Sequence, residues 1–452
     1  MSTKSGMTSK IRQTYYDGTT GKAAGTNESF ITVTRDRCYF LLLNVGHFLD
    51  HLFTLIFATV AALALHREWG VGYADLLVYA TPGFLAFGLF SLPAGWLADK
   101  WSRDGMMVVF FVGIGLSAIA TSFSTTPVQI GFGLFVTGMF AAIYHPVGLA
   151  IVTMTWRNTG MRIAANGVWG NLGVASAALI TGYLIDNGGW RMAFVLPGIF
   201  SIATGLAYFA LRHETISSDR VTSKPVGQFS TAAPSPANRT LLMRVSAIVF
   251  LTTAVSSIIF QSTTFALPKI FDERLQGLAS QLASWTQRVS ETGQGDMATM
   301  VGSLAFIVFA AASIAQLIVG SMLDRYGPRR VFITVAILQL VFFSLMPGLT
   351  DVMALAVAVG FMLGAFGQIP INDYMIGKMA SGPYRARIYG IRYVVAFSVL
   401  AVSLPLIALV YEHWGFDMLF RILAAAALLI LCAVAALPRK LPIPEPSTAA
   451  AE

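Results

Sequence analysis

Within one apolar stretch of this 452-residue chain, His47, Asp50 and His51 occur together, flanked by Asn44 and Thr54. Spacings of three and four place all five on one face of a helix, giving a polar stripe on an otherwise apolar rod. His145 lies in a second apolar stretch, between Tyr144 and Pro146. Ionisable groups inside hydrocarbon are costly and are functional by default. A carboxylate beside an imidazole can pass a proton near neutral pH, which makes Asp50 and His145 candidates for proton coupling, with His47 and His51 as accessories. The same residues also suit a neutral hydrogen-bonded pair that only fixes two helices. They are plausible ligand types for a metal ion as well, but imidazole serves proton transfer equally, and no metal site or cofactor is expected.

A second constellation joins Asp373 to Arg392, at similar depths in two consecutive apolar stretches, as a gate, an anionic-substrate anchor or a static strut. Asn166, Trp169 and Asn171 in one stretch, and Ser256, Ser257, Gln261, Ser262 and Thr263 in another, read as cavity wall or interhelical glue.

The elements that must carry these groups are membrane helices. Hydrophobic residues make up 56% of the chain and charged residues only 12%, about half the charge of a soluble domain. Twelve apolar stretches, each long enough to cross roughly 30 Å of hydrocarbon, run at about 37–64, 73–97, 106–124, 128–156, 161–186, 190–211, 244–270, 298–323, 329–348, 352–379, 386–411 and 415–438. We number them spans 1 to 12. The net charge of +8 is scattered between spans, which argues against nucleic acid as a partner. With the N-terminus inside, 23 Lys and Arg fall in internal segments and five in external ones, so the positive-inside rule puts both termini in the cytoplasm. Cys38 and Cys432, far apart in apolar surroundings, indicate neither disulfide nor zinc chemistry.

The spans form two sets of six. Residues 212–243 are polar, rich in Pro and Ser and basic, as in a cytoplasmic linker. Gly95-x-x-x-Asp99-Lys100 at the end of span 2 returns as Gly320-x-x-x-Asp324-Arg325 at the end of span 8, 225 residues later. Arg162-Ile163 returns as Arg387-Ile388 at the same offset, and Pro146 as Pro370 at 224. A near-constant offset marks parallel repeats. The organisation expected is a disordered cytoplasmic tail 1–36, a six-helix bundle 37–211, the linker 212–243, a second bundle 244–438 and a tail 439–452. The external stretch 271–297 contains an amphipathic part suited to lying on the membrane or covering the outer mouth.

The loop Gly95-x-x-x-Asp99-Lys100-x-x-Arg103, with its copy running to Arg329 and Arg330, resembles the signature loop of the major facilitator superfamily of secondary transporters. The resemblance implies an all-α fold of two six-helix bundles rocking about a central site, lined by spans 1, 4, 7 and 10. It implies that Asp99 meets Arg385 or Arg387, and Asp324 meets Arg162, at neighbouring helix starts. Gly95, Gly320, Arg103 and Arg325 complete the gating set. Ser102 and Asp104 depart from the first copy, where glycine and a basic residue are usual. The segments 138–146 and 167–173 look more specifically like the fosmidomycin-resistance-type efflux proteins. Span 5 lacks the Gly-Pro motif of the superfamily's antiporters, and Phe135 stands where span 4 usually carries arginine.

The function expected is proton-coupled efflux of a small organic compound by a monomer in the inner membrane, without covalent chemistry. The alternatives are a proton-coupled importer of an organic anion and, remotely, a non-transporting sensor or enzyme. Its partners are the small-molecule substrate, protons and the lipid bilayer.

Overall fold

A computed structural model of the chain describes residues 24–156, 159–211, 236–289, 297–379 and 385–438. Every regular element among them is helical. In hydrocarbon each backbone N–H and C=O must be paired within its own segment, which these long apolar helices achieve.

Among the described residues, eleven stretches are long and apolar enough to cross a membrane. They are α1 (Arg35–Glu68), α2 (Tyr73–Lys100), α3 (Arg103–Ser122), α4 (Pro127–Thr155), α5 (Met161–Gly188), α6 (Met192–Leu211), α7 (Met243–Arg274), α8 (Met297–Tyr326), α9 (Pro328–Leu345), α10 (Asp351–Met375) and Ala401–Ala435. The last belongs to the helix Arg385–Ala435, which breaks at Gly415, where φ is 68°. Glycine takes that left-handed conformation without steric cost. The break separates α11 (385–414) from α12 (416–435), so the described residues hold twelve crossings.

Three boundaries differ from expectation. The helix entering α1 begins at Ala24, within the segment expected to be a disordered tail. The helix of α7 begins at Pro236, so the last eight residues of the expected linker are helical. Within 271–297, Gln276–Val289 is a surface helix. Asp351 Oδ1 accepts a hydrogen bond of 2.8 Å from the Leu278 N–H, pinning its first turn to the start of α10. The expected segments 1–23 and 439–452 lie outside the described residues.

In the first half α1 packs on α5, α2 on α4 and α3 on α6; in the second, α7 and α9 pack on the α11–α12 unit and α8 on α10. The halves meet through α5 with α8 and α2 with α11, pairs related by the sequence repeat. Glycines let α5 and α8 touch backbone to backbone: a Cβ on Gly182 would strike the Ala298 carbonyl, and one on Gly302 the Ala178 carbonyl. Large apolar side chains such as Phe132 (70% exposed) and Leu317 (63%) face outward, as lipid contact requires.

The hydrogen bonds and ring contacts joining the halves gather toward the end at which α1 finishes. Arg67 pairs with Asp272 at 3.0 Å, the Tyr73 and Tyr411 rings meet edge to face at 5.4 Å, and Asp186 Oδ2 accepts from the Thr299 N–H at 2.6 Å and its hydroxyl at 2.7 Å. Among the described residues, these side-chain contacts tie the two halves together at the first end. Toward the opposite end, a Cβ on Gly167 of α5 or Gly320 of α8 would meet nothing within 4 Å.

Candidate functional site

Helical periodicity carries Asn44, His47, Asp50 and His51 to one face of α1, as the stripe predicts. His145 lies just past an interruption in α4. The helix Pro127–Ala141 stops, Ala142 and Ile143 form a turn, and a new helix runs Tyr144–Thr155. Pro146 has no N–H to offer the Ala142 carbonyl, so the α-helical ladder is interrupted there. The Ile143 N–H bonds instead to the Phe140 carbonyl, three residues back, at 3.1 Å.

His145 stands against α1. The ring of His47 stands 5.0 Å from that of His51 and 5.3 Å from that of His145, centroid to centroid, and the His51 and His145 rings are 5.5 Å apart. One nitrogen from each imidazole lies within 4.8 Å of the other two. Asp50 is fully buried, its Oδ2 3.3 Å from His145 Nε2. No aligned hydrogen bond reaches either of its oxygens among the described residues.

Around this cluster runs a satisfied polar network. Asn166 of α5 donates through Nδ2 to Asn44 Oδ1 at 2.9 Å and to the Tyr144 hydroxyl at 2.8 Å. That hydroxyl donates to the Leu43 carbonyl at 2.8 Å. His47 Nδ1 lies 2.7 Å from the Asn166 carbonyl oxygen, which can only accept. Nδ1 therefore carries the proton, and in the neutral ring Nε2 keeps its lone pair. Nε2 is buried with no hydrogen-bond partner among the described residues. A Cβ on Gly170 would lie 2.7 Å from the His47 ring, so this glycine makes room for the imidazole. Tyr144 is the member that sequence reasoning passed over; a buried phenol needs a partner, and that requirement was its signal.

Beside the cluster is a small hollow walled by Phe53, Phe57, Phe84, Phe87, Phe265 and Thr137. The Phe87 ring is 6.0 Å from that of His145, so hollow and cluster adjoin. Of the other expected cavity residues, Asn171 reaches across the halves to Gln316 Oε1 at 3.0 Å. Trp169 and Gln261 are half-buried and lie outside the histidine cluster. Ser257 and Thr263 each donate to carbonyls of their own helix at 2.8 Å, consistent with packing roles. Buried amides missed in the sequence, Gln339 and Gln368, bond to each other in the second half.

The expected gate contacts are arranged differently. Arg162 does not meet Asp324. It pairs with Asp36 at 3.7 Å and stacks over the Phe40 and Trp156 rings, at 4.6 and 4.4 Å. Asp36, Phe40 and Trp156, all of its own half, form a cage around the guanidinium. Asp99 bonds to Arg103 at 2.5 Å, one turn on. The side chains of Arg385, Arg387 and Arg392 lie outside the described residues, and with them the expected pairs to Asp99 and Asp373. Arg325 sits over the Tyr326 ring at 5.4 Å. Gly95 approaches Pro146, as its smallness suggests, whereas Gly320 faces open space here.

The two departures in the loop have structural reasons. Ser102 caps α3, accepting from the Gly105 N–H at 3.0 Å. Asp104 in the first turn accepts from the hydroxyls of Tyr39 at 2.5 Å and Tyr208 at 2.6 Å, tying α3 to α1 and α6.

Comparison with known proteins agrees with this architecture. The model of the Major Facilitator Superfamily matches residues 43–287 and 292–452. The 4-hydroxybenzoate transporter PcaK of Pseudomonas putida is 23% identical over 307 residues, 63% of this chain and 65% of that protein. The tetracenomycin C resistance and export protein of Streptomyces glaucescens is 25% identical over 153 residues, 32% of this chain and 28% of its own length. The chain thus spans under two thirds of the curated relatives it matches. Among solved structures, a peptide transporter POT in complex with sulfate superposes with a TM-score of 0.68 at 13% identity, over 89% of this chain and 95% of that one. The relatives are transporters rather than enzymes, and the duplicated bundle, its signature loops and the family match together place this chain in the Major Facilitator Superfamily.

Proposed function

We propose that the protein is a proton-coupled exporter of a small organic compound, working by alternating access. The observation that carries the reading is the fully buried Asp50 carboxylate, 3.3 Å from His145 in the interior of the bundle. A carboxylate so placed is costly when charged and alone. Taking up and releasing a proton with its imidazole neighbour changes the charge of the cavity between states. The adjoining phenylalanine-walled hollow suits an apolar or aromatic portion of the cargo.

Efflux is supported by the likeness of segments 138–146 and 167–173 to fosmidomycin-resistance-type proteins and by the exporter among the relatives. The positive-inside count supports cytoplasmic termini, and the reading includes an inner-membrane location and a monomer. The relative named for 4-hydroxybenzoate transport favours a second reading, carriage of a small organic anion in the inward direction.

The test uses purified protein in liposomes of known orientation. A screen of small organic compounds by thermal stabilisation identifies a ligand, and its labelled form is then followed under an imposed pH gradient. With the external face acidic, export predicts accelerated loss of trapped compound, and import predicts accumulation of external compound. Flux insensitive to gradients of both orientations overturns proton coupling.

A further inference from the structure

We propose that His47, His51 and His145 form a binding site for a divalent transition-metal ion of the zinc class, with Asp50 as its charge-balancing carboxylate. The site shares Asp50 and His145 with the proton-coupling reading, and its test reads metal binding rather than flux, so the two can fail separately.

Convergence is the first argument. His47 and His51 stand one turn apart on α1, and His145 brings a third imidazole to them from α4. The three candidate ligand nitrogens already lie within 4.8 Å of one another. Zinc–nitrogen bonds of about 2.0–2.1 Å in a tetrahedral site put ligand nitrogens roughly 3.3 Å apart. Small rotations of the rings close a gap of no more than about 1.5 Å.

The second argument is the state of the donor atoms. His47 gives its Nδ1 proton to the Asn166 carbonyl at 2.7 Å, an arrangement typical of metal-bound histidine, whose far nitrogen is oriented by such a bond. Its Nε2 lone pair is left buried without a hydrogen-bond partner among the described residues, as are both oxygens of Asp50. A dication answers these demands together: it accepts the lone pair and offsets the buried negative charge. Three imidazoles suit zinc, nickel, cobalt or copper, whereas calcium and magnesium want sets of oxygen ligands. The residues that enclose the cluster from α5 and from α4, Asn166, Gly170 and Tyr144, bring no competing charge.

The experiment uses the full chain, purified without a polyhistidine tag and stripped with chelator, then titrated with zinc chloride by calorimetry and with Co²⁺ by visible absorption. The expected result is one ion per chain and the intense Co²⁺ spectrum of a four- or five-coordinate nitrogen site. His51→Ala and His145→Gln should each weaken binding at least about tenfold, and Asp50→Asn by roughly 10- to 100-fold. His66→Ala, outside the cluster, should leave it unchanged. Thermal unfolding in chelator verifies that each variant is folded, and the Co²⁺ spectrum of the unaltered protein gives a readout that needs no variant. Absence of stoichiometric zinc at millimolar concentration, a pale octahedral Co²⁺ spectrum, or full-strength binding in folded His51→Ala and His145→Gln overturns the proposal.

Discussion

Replacing Gly182 by alanine tests whether the tie between the halves at the end where α1 finishes is one of two states. In this structure the new methyl group would strike the Ala298 carbonyl oxygen. The obstacle is backbone, which cannot swing aside as a side chain does, so α5 and α8 must separate or strain. Overpacking of this kind costs about 1–3 kcal/mol. The cost applies only to the state in which these helices touch here, so the equilibrium should move toward opening of this end by roughly 5- to 150-fold. Spin labels at Asn187→Cys on the first half and Gln281→Cys on the second report the separation, in a background where Cys38 and Cys432 are serine. Gly182→Ala should raise the population at longer distance in pulsed electron resonance. Gly167→Ala, whose methyl meets nothing within 4 Å, serves as control and should leave the distribution unaltered. An identical distribution in Gly182→Ala and the parent would refute the argument that glycine contact holds this end shut.

Three further outcomes are expected. Asp186→Ala removes both acceptor contacts to Thr299 and leaves a helix-start N–H unpaired across the halves, at a cost of about 1–3 kcal/mol to the tied end; the same labels should report widening. Asp104→Ala strands the hydroxyls of Tyr39 and Tyr208 and should destabilise the first half by about 1–3 kcal/mol, with Asp104→Asn milder, as read by thermal melting in detergent. Asp50→Asn should abolish gradient-driven flux while leaving the melting temperature near that of the parent, and normal coupled flux in that variant would remove the proton role.

The twelve crossings and the duplication were legible because both leave periodic marks: apolar runs of fixed length and motifs at a fixed offset. The polar face of α1 was legible for the same reason, since spacings of three and four fix a side of a helix. Partners on other helices carry no such mark. His145 meets Asp50 only once α4 packs on α1, and Asn171 meets Gln316 only once the halves dock. Arg162 misled for a different reason. Its place at a helix start suggests a partner on the other half, whereas here the Phe40, Trp156 and Asp36 side chains of its own half collect it. Asp104 looked anomalous within a loop motif until Tyr39 and Tyr208, distant in the chain, supplied its donors.

The interruption at Ala142 and Ile143 divides α4 into two pieces held by different means. The outer piece is locked to α2, where Gly138 lies so close to the Gly83 carbonyl that no side chain fits between them. The inner piece is held to α1 and α5 by the Tyr144 hydroxyl, which bonds to the Leu43 carbonyl and to Asn166, and by the Tyr144 ring seated against Gly46. One crossing is thus fastened in two ways, by bare backbone on one side of the interruption and by a hydrogen-bonded ring on the other.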